Sequence, residues 1–531
     1  MRRGLDSAAF AAGSLALYAT PHAPLHMDTA RDLLLARDCA AGIACHFTGP
    51  PASLGDVRQG GTWIHVLEAC LALHLSTPAI EIVVWGLAAL AVGVFHGAAS
   101  AAAGRTKAAF AALAFAAVLP WMVGHPILWN PAMLPLPAVL FFVALRASAG
   151  TAAASPAASA PGDALQGLAP VGLLALATAV LLDVHVVAVI LLAVTAAAAL
   201  ATRSLLAGLA RLAFAAAIVA AFGWLSSREA LSYDARSLGR HPGAVAAGAC
   251  VLAGVAVFLA ARWRRGATPD AVTRDACLAY LVLVVGGGIV AGASPVARYV
   301  VPIVPGLGLL FATGMERWAA AKAIATALLV LHAVVDVVHG NLRRGKGPTA
   351  EWTVPDAEAC AARLAGLGFT AHGAVHSLDA PGGRAFVSTV SSFLPLGHDG
   401  DAPAHRLVEH EGGTCADVAP PVVDASQGER CVDATCAPLR PGHIGHVPPV
   451  PDYSVLAYPE RWERDPPPRG GTYDVSYRLP LVAPGPVPPL LVTGEPYATW
   501  SSTTEGATLV VTHTVHVEWD DDGWPPAVLP R

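Results

Sequence analysis

Asp28 and Arg31 stand three residues apart in the segment DTARDLLLARD (residues 28–38), a spacing that puts a carboxylate and a guanidinium on one face of a helix. A carboxylate so placed can take the proton from a hydroxyl, and an alcohol is a poor nucleophile until that proton is leaving. Arginine holds phosphate oxygens through paired donors and steadies the charge that grows on a leaving group; Arg58 and Arg298 are further candidates for that work. Asp183 and His185 close a long apolar run, where ionisable groups are costly and so mark contacts to a ligand such as a sugar or a divalent cation. Each has a plainer reading. An aspartate at a helix start is an N-cap, an arginine beside a membrane is an interfacial anchor, and a polar pair at a hairpin end is a wet turn. No P-loop, nucleotide-binding glycine turn or Ser-His-Asp signature is present, so the energy for a group transfer would have to arrive with an activated donor.

The chain that must position these residues is 531 residues long, 13% charged and 55% apolar, with a mean hydropathy of +0.54. Soluble chains are about 25% charged, so a membrane protein is expected. A net charge of -5 and the lack of a basic stripe argue against a nucleic-acid partner. Scarce lysine beside abundant alanine, arginine, glycine and proline points to a GC-rich bacterium. Apolar runs predict membrane helices at residues 80–103, 108–123, 131–145, 165–182, 184–201, 207–225, 245–261, 276–293, 299–315 and 319–338. Residues 8–20 make an eleventh, read as a retained helix after Arg2 and Arg3 rather than a signal peptide.

With the N-terminus inside, Arg105, Lys107, Arg146, Arg203, the Arg262–Arg265 cluster, Arg317 and Lys322 fall on the cytoplasmic side, as the positive-inside rule requires. Residues 151–162 read as a flexible linker there. An odd helix count puts everything after about residue 340 outside. The first outer loop, residues 21–78, carries two amphipathic helices, the second with Trp63, Val66, Leu67, Cys70 and Leu71 on one face. The expected organisation is a membrane domain at 1–340 and an extracytoplasmic α+β domain at 341–531. The latter has a helix at 355–367 and strands at 473–479, 490–493 and 507–519. Cys39, Cys45, Cys415, Cys431 and Cys436 lie on the outer side and are disulfide candidates. Cys431 would pair with Cys436 or with Cys415, and Cys39 could close a short loop with Cys45. A zinc site at Cys431 and Cys436 with His443 and His446 is the lesser alternative.

A short first helix, an outer loop that opens with Asp28-Thr29-Ala30-Arg31 and closes with Arg58-Gln59-Gly60-Gly61-Thr62-Trp63, then Trp129-Asn130-Pro131, His185 and Arg298-Tyr299-Val300-Val301-Pro302 follow one another in order. Together they resemble the GT-C superfamily of polyprenyl-phosphate-sugar-dependent glycosyltransferases, nearest the aminoarabinose transferase and protein O-mannosyltransferase branches. The resemblance implies a polytopic α-helical fold of about eleven membrane helices in a bacterial inner membrane. It also implies transfer of a hexosyl or pentosyl group from a polyprenyl-phosphate donor to a lipid, glycan or protein acceptor at the outer face. Asp28 would be the base, and Arg31, Arg58 and Arg298 the phosphate ligands. The family's acidic pair is here Asp28-Thr29, and the proline of its Gly-Pro stretch is Gly61. An inactive GT-C-like scaffold and a lipid-linked sugar flippase are therefore the competing readings, and a divalent cation is the one candidate cofactor.

Overall fold

The computed structural model describes residues 2–18, 27–42, 59–123, 128, 130–154, 168–202, 204–238, 242–290, 299–314, 322–323, 326–327, 330–331, 354–365, 371, 378–379, 393–396, 405–410, 414–419, 429–432, 435–438, 471–480, 500–518 and 527–529. The chain divides into two compact units, Met1–Ala23 with Leu35–Gly347, and Pro24–Leu34 with Pro348–Arg531.

The first unit is helical. It holds α1 (Arg2–Tyr18), the C-terminal part of α2 (Met27–Ala40), α3 (Thr62–Ala72), α4 (Thr77–Ala103), α5 (Arg105–Val123), α6 (Pro135–Ala154), α7 (Leu168–Val184), α8 (Ile190–Leu200), α9 (Leu205–Leu238), α10 (Pro242–Trp263), α11 (Pro269–Val290) and α12 (Val304–Thr313). Short 3₁₀ turns precede α6, α8 and α12. Among the described residues, five stretches are long and apolar enough to cross a membrane: Thr77–Ala103, Arg105–Val123, Asn130–Ala149, Leu205–Arg228 and Pro242–Trp263. The runs expected at 165–182, 184–201 and 299–315 form shorter apolar helices. Of 319–338 the structure describes three helical dipeptides.

Local chemistry sets several of these limits. Ser76 and Pro78 start α4, since proline has the helical φ and needs no N–H partner in the first turn. Gly104 ends it at φ +86°, a backbone conformation that side chains other than hydrogen resist, and α5 begins at the next residue. α11 starts two turns before the expected 276, because Asp270 pairs with Arg146 of α6 and Asp275 with Arg262 of α10, while Arg274 pairs with its neighbour Asp275. In α3 the buried stripe is Trp63, Ile64, Leu67 and Cys70. It is rotated from the expected face, with Ile64 taking the place of Val66 and Leu71.

α4 is the hub, packed against α1, α5, α6 and α12, while α7 and α8 both pack on α9. Contact between α1 and α4 is close: a Cβ on Gly93 would lie 2.7 Å from the Ser7 carbonyl oxygen. Small residues permit such approach where lipid supplies no hydrophobic drive between helices. By contrast α9 and α10 are peripheral, with Leu206, Trp224, Leu225, Val257 and Phe258 exposed.

The second unit carries α13 (Val354–Ala365) and the strands β1 (Leu378–Asp379), β2 (His405–His410), β3 (Thr414–Ala419), β4 (Glu429–Val432), β5 (Thr435–Pro438), β6 (Gly471–Pro480), β7 (Trp500–Glu505), β8 (Thr508–Glu518) and β9 (Ala527–Leu529). One sheet runs β1-β2-β3; the other runs β5-β4-β6-β8-β7, with β9 on β8. β6 and β8 form its long antiparallel centre, from Gly471 opposite Val517 to Pro480 opposite Thr508. The strand expected at 490–493 lies outside the described residues.

Gly93→Val should separate α1 from α4 and cost about 1–3 kcal/mol, read as a lower unfolding midpoint in detergent. Gly97→Ala, whose Cβ would meet Ser7 Oγ at an ordinary 3.4 Å, should leave the midpoint nearly unchanged.

Candidate functional site

Asp183 ends α7 and is 6% exposed. Its Oδ2 accepts the backbone N–H of Thr62 at 2.8 Å. Its Oδ1 accepts the hydroxyl of Ser226 at 2.9 Å and also that of Ser227. Its backbone carbonyl accepts the N–H of Gly60 at 2.7 Å. Ser227 Oγ in turn accepts the N–H of Gly61 at 3.0 Å. One buried carboxylate thus joins the end of α7, the entry to α3 and the middle of α9. As an anion at the N-terminus of α3, it also meets the positive end of the helix dipole.

Two backbone features make this geometry possible. Adjacent side chains on a regular helix diverge by about 100°, so two neighbouring serines cannot both reach one oxygen. α9 breaks at Ser227, with φ -146° and ψ 27°, and that break lets both hydroxyls converge. Gly60 is needed for a different reason: a Cβ there would sit 1.9 Å from Asp183 Oδ1 and 2.3 Å from Ser227 Oγ.

The same corner gathers further polar groups. Buried Asn130 donates through Nδ2 to the Val184 carbonyl at 2.9 Å and to Gln59 Oε1. His185 is buried and meets the ring of Tyr299 edge-on, centroids 5.3 Å apart. Tyr280 donates its hydroxyl to the Tyr299 carbonyl at 2.8 Å. Thr62 Oγ1 is buried with no hydrogen-bond partner among the described residues, a donor left for something that enters beside it.

Of the residues singled out in the sequence, Asp183 and His185 fall in this corner, one residue apart. Both carboxylate oxygens of Asp183 are already engaged, which makes it a fastening for the Gln59–Thr62 segment. Arg58 and Arg298 lie outside the described residues. Asp28 and Arg31 are on α2, in the part grouped with the second unit. Arg31 is fixed by Asp32, donating through Nε at 3.0 Å and Nη2 at 2.8 Å to one carboxylate oxygen. Asp32 is almost fully buried and lies one helical turn after Asp28. Farther along α2, burial pushes the Arg37 guanidinium down from its usual value, against the opposing pull of Asp38.

Sequence reasoning passed over Asp32, Ser226 and Ser227. Two adjacent hydroxyls followed by Arg228 near the end of an apolar run were the available signal for the serines. Cys39 is buried and disulfide-bonded, as is Cys360; Cys45 lies outside the described residues, and Cys415 is on β3. Cys431 and Cys436 are bonded to each other across the β4–β5 pair. Their sulfurs lie within metal-chelating distance of Glu429, but the disulfide leaves neither as a thiolate, and a thiolate is what zinc requires.

No protein-family model matches the chain, and no curated protein matches it. The structure is similar to the crystal structure of ArnT from Cupriavidus metallidurans in the apo state, with a TM-score of 0.45 and 14% sequence identity, over 77% of this chain and 86% of that one.

Asp183→Ala should strand the Thr62 N–H and remove the carboxylate acceptor of Ser227, while Ser226 keeps the Phe222 carbonyl at 2.9 Å; this should cost about 3 kcal/mol and lower the unfolding midpoint by several degrees. Gly60→Ala should cost at least as much, because the added methyl overlaps the carboxylate itself. Unchanged midpoints in both variants would remove the fastening role.

Proposed function

We propose that the protein is a membrane glycosyltransferase that moves a hexosyl or pentosyl group from a polyprenyl-phosphate donor to a hydroxyl acceptor at the outer face of a bacterial inner membrane. One observation carries the reading. The residues that directly follow two candidate phosphate ligands both reach the 183–185 turn. After Arg58, Gln59 and Gly60 bond to Asn130 and to the Asp183 carbonyl; after Arg298, the ring of Tyr299 rests on His185. The chain neighbours of two arginines far apart in sequence thus meet at one corner, and a sugar phosphate needs paired cations.

In this reading Asp28 takes the proton from the acceptor hydroxyl as its oxygen attacks C1 of the sugar. The bond from C1 to the phosphate oxygen breaks with inversion, and the polyprenyl phosphate leaves with the bonding pair. Arg31, Arg58 and Arg298 hold the charge that develops on it. Arg31 is pre-set for this by its bond to Asp32, which spares it part of the entropy of ordering a long side chain. Eleven membrane helices with the N-terminus inside put these residues and the C-terminal unit in one compartment.

Among the described residues the candidate donors do not fit a divalent cation. Asp183 is committed to three protein donors, Cys431 and Cys436 are oxidised, and the place of the family's second carboxylate is taken by buried Thr29. The substitution at Thr29 also favours the second reading, a GT-C-like scaffold without activity.

Purified protein incubated with polyprenyl-phosphate sugars and candidate acceptors should form product, and Asp28→Asn should lower kcat by about 10²–10⁴-fold. Transfer retained by that variant would reject Asp28 as the base. Absence of product with every donor would support the scaffold, and donor movement across vesicles without product would support a flippase. Chelation with EDTA should leave the rate unchanged; a loss restored by added cation would show that metal takes part.

A further inference from the structure

The turn between α10 and α11 and the corner between α8 and α9 form one surface. Arg264 of the turn donates through Nε to the carbonyl of Leu200, the last residue of α8, at 2.8 Å. Gly208 of α9 packs on the same corner, where a Cβ would lie 3.5 Å from Leu200 and 3.3 Å from Thr202 Oγ1. Arg211 is the next turn of α9, inside the apolar stretch. Its Nε is buried and has no hydrogen-bond partner among the described residues.

The charges here do not balance. Asp275 is shared by Arg262 at 2.5 Å and Arg274 at 3.4 Å, and Asp270 is taken by Arg146 of α6 at 2.6 Å. Arg211, Arg264 and Arg265 are left with no acidic partner among the described residues, and the last two are exposed. Directly beside them the surface turns apolar. Leu205, Leu206 and Leu209 of α9 and Val257 and Phe258 of α10 are exposed large side chains. An unpaired arginine within a membrane span is costly unless an anion meets it, and the anion available at that depth carries hydrocarbon.

We propose that this corner binds an anionic phospholipid, its headgroup phosphate held by Arg211, Arg264 and Arg265 and its acyl chains lying along the exposed faces of α9 and α10. Neither Arg262 nor Arg274 is needed, since Asp275 already satisfies both. The inference is independent of the glycosyltransferase reading: it uses no residue of the Asp183 corner and needs no turnover.

The test uses the full chain, delipidated in detergent, with phosphatidylglycerol or phosphatidylcholine added back. Thermal unfolding and mass spectrometry of retained phospholipid are the readouts. Phosphatidylglycerol should raise the unfolding midpoint more than phosphatidylcholine does, and high salt should erase the difference. Arg211→Gln/Arg264→Gln/Arg265→Gln should remove the preference, with about a fivefold loss of retained phosphatidylglycerol per arginine and an unchanged midpoint in phosphatidylcholine. Should the triple variant not fold, Arg264→Gln/Arg265→Gln alone must lose most of the preference while Lys107→Gln keeps it. Equal stabilisation by both lipids, or a preference surviving in the variants, overturns the proposal. Stabilisation by inorganic phosphate equal to that by phosphatidylglycerol overturns the lipid assignment.

Discussion

A buried carboxylate must be repaid by donors, or it would protonate or unfold its surroundings. At Asp183 that requirement organises one corner of the helical unit. Its oxygens take one backbone N–H from the α3 entry and two hydroxyls from α9, and its carbonyl takes the N–H of Gly60. The rotation of α3, the break in α9 and the absence of a side chain at residue 60 all answer to this one anion. Asn130, His185 and Tyr299 then gather around the turn that follows, so the polar lining of the corner inherits its geometry from a bond network that need not touch any substrate.

A second economy operates on α2. Arg31 and Asp32 are sequence neighbours, which on a helix point about 100° apart, yet the guanidinium folds back to hold the buried carboxylate through two nitrogens. A cation braced in this way is directional rather than free to follow solvent. The acidic content missing at Thr29 returns one turn later at Asp32, though already occupied with Arg31.

The helices were legible because apolar runs have few competing explanations once charge is scarce; α4, α5, α9 and α10 lie where hydropathy put them. Less legible was the start of α11, whose charged first turns resemble a loop until Arg146 and Arg262 supply partners for Asp270, Thr273 and Asp275. β7 was missed because WSSTTE has no apolar alternation; it is a strand through its six paired residues with β8, from Trp500 opposite His513 to Glu505 opposite Thr508, in which polar residues serve as well as apolar ones. At the site, His185 and Asp183 could be suspected from cost alone. The convergence of Gly60, Ser226 and Ser227 could not be, since it depends on a helix break that no local residue preference demands.

The break in α9 also has a bearing on depth. From Leu205 to Ser226 the helix is regular, which at 1.5 Å per residue is about 33 Å, close to the thickness of a bilayer's hydrocarbon. Ser226 and Ser227 therefore come to the waterline when Leu205 stands at the opposite one, and the Asp183 corner rides at their height. The membrane thus acts as a gauge: a thinner or thicker bilayer would raise or sink the corner relative to the headgroups, and any reactant anchored in those lipids would meet it at a different level.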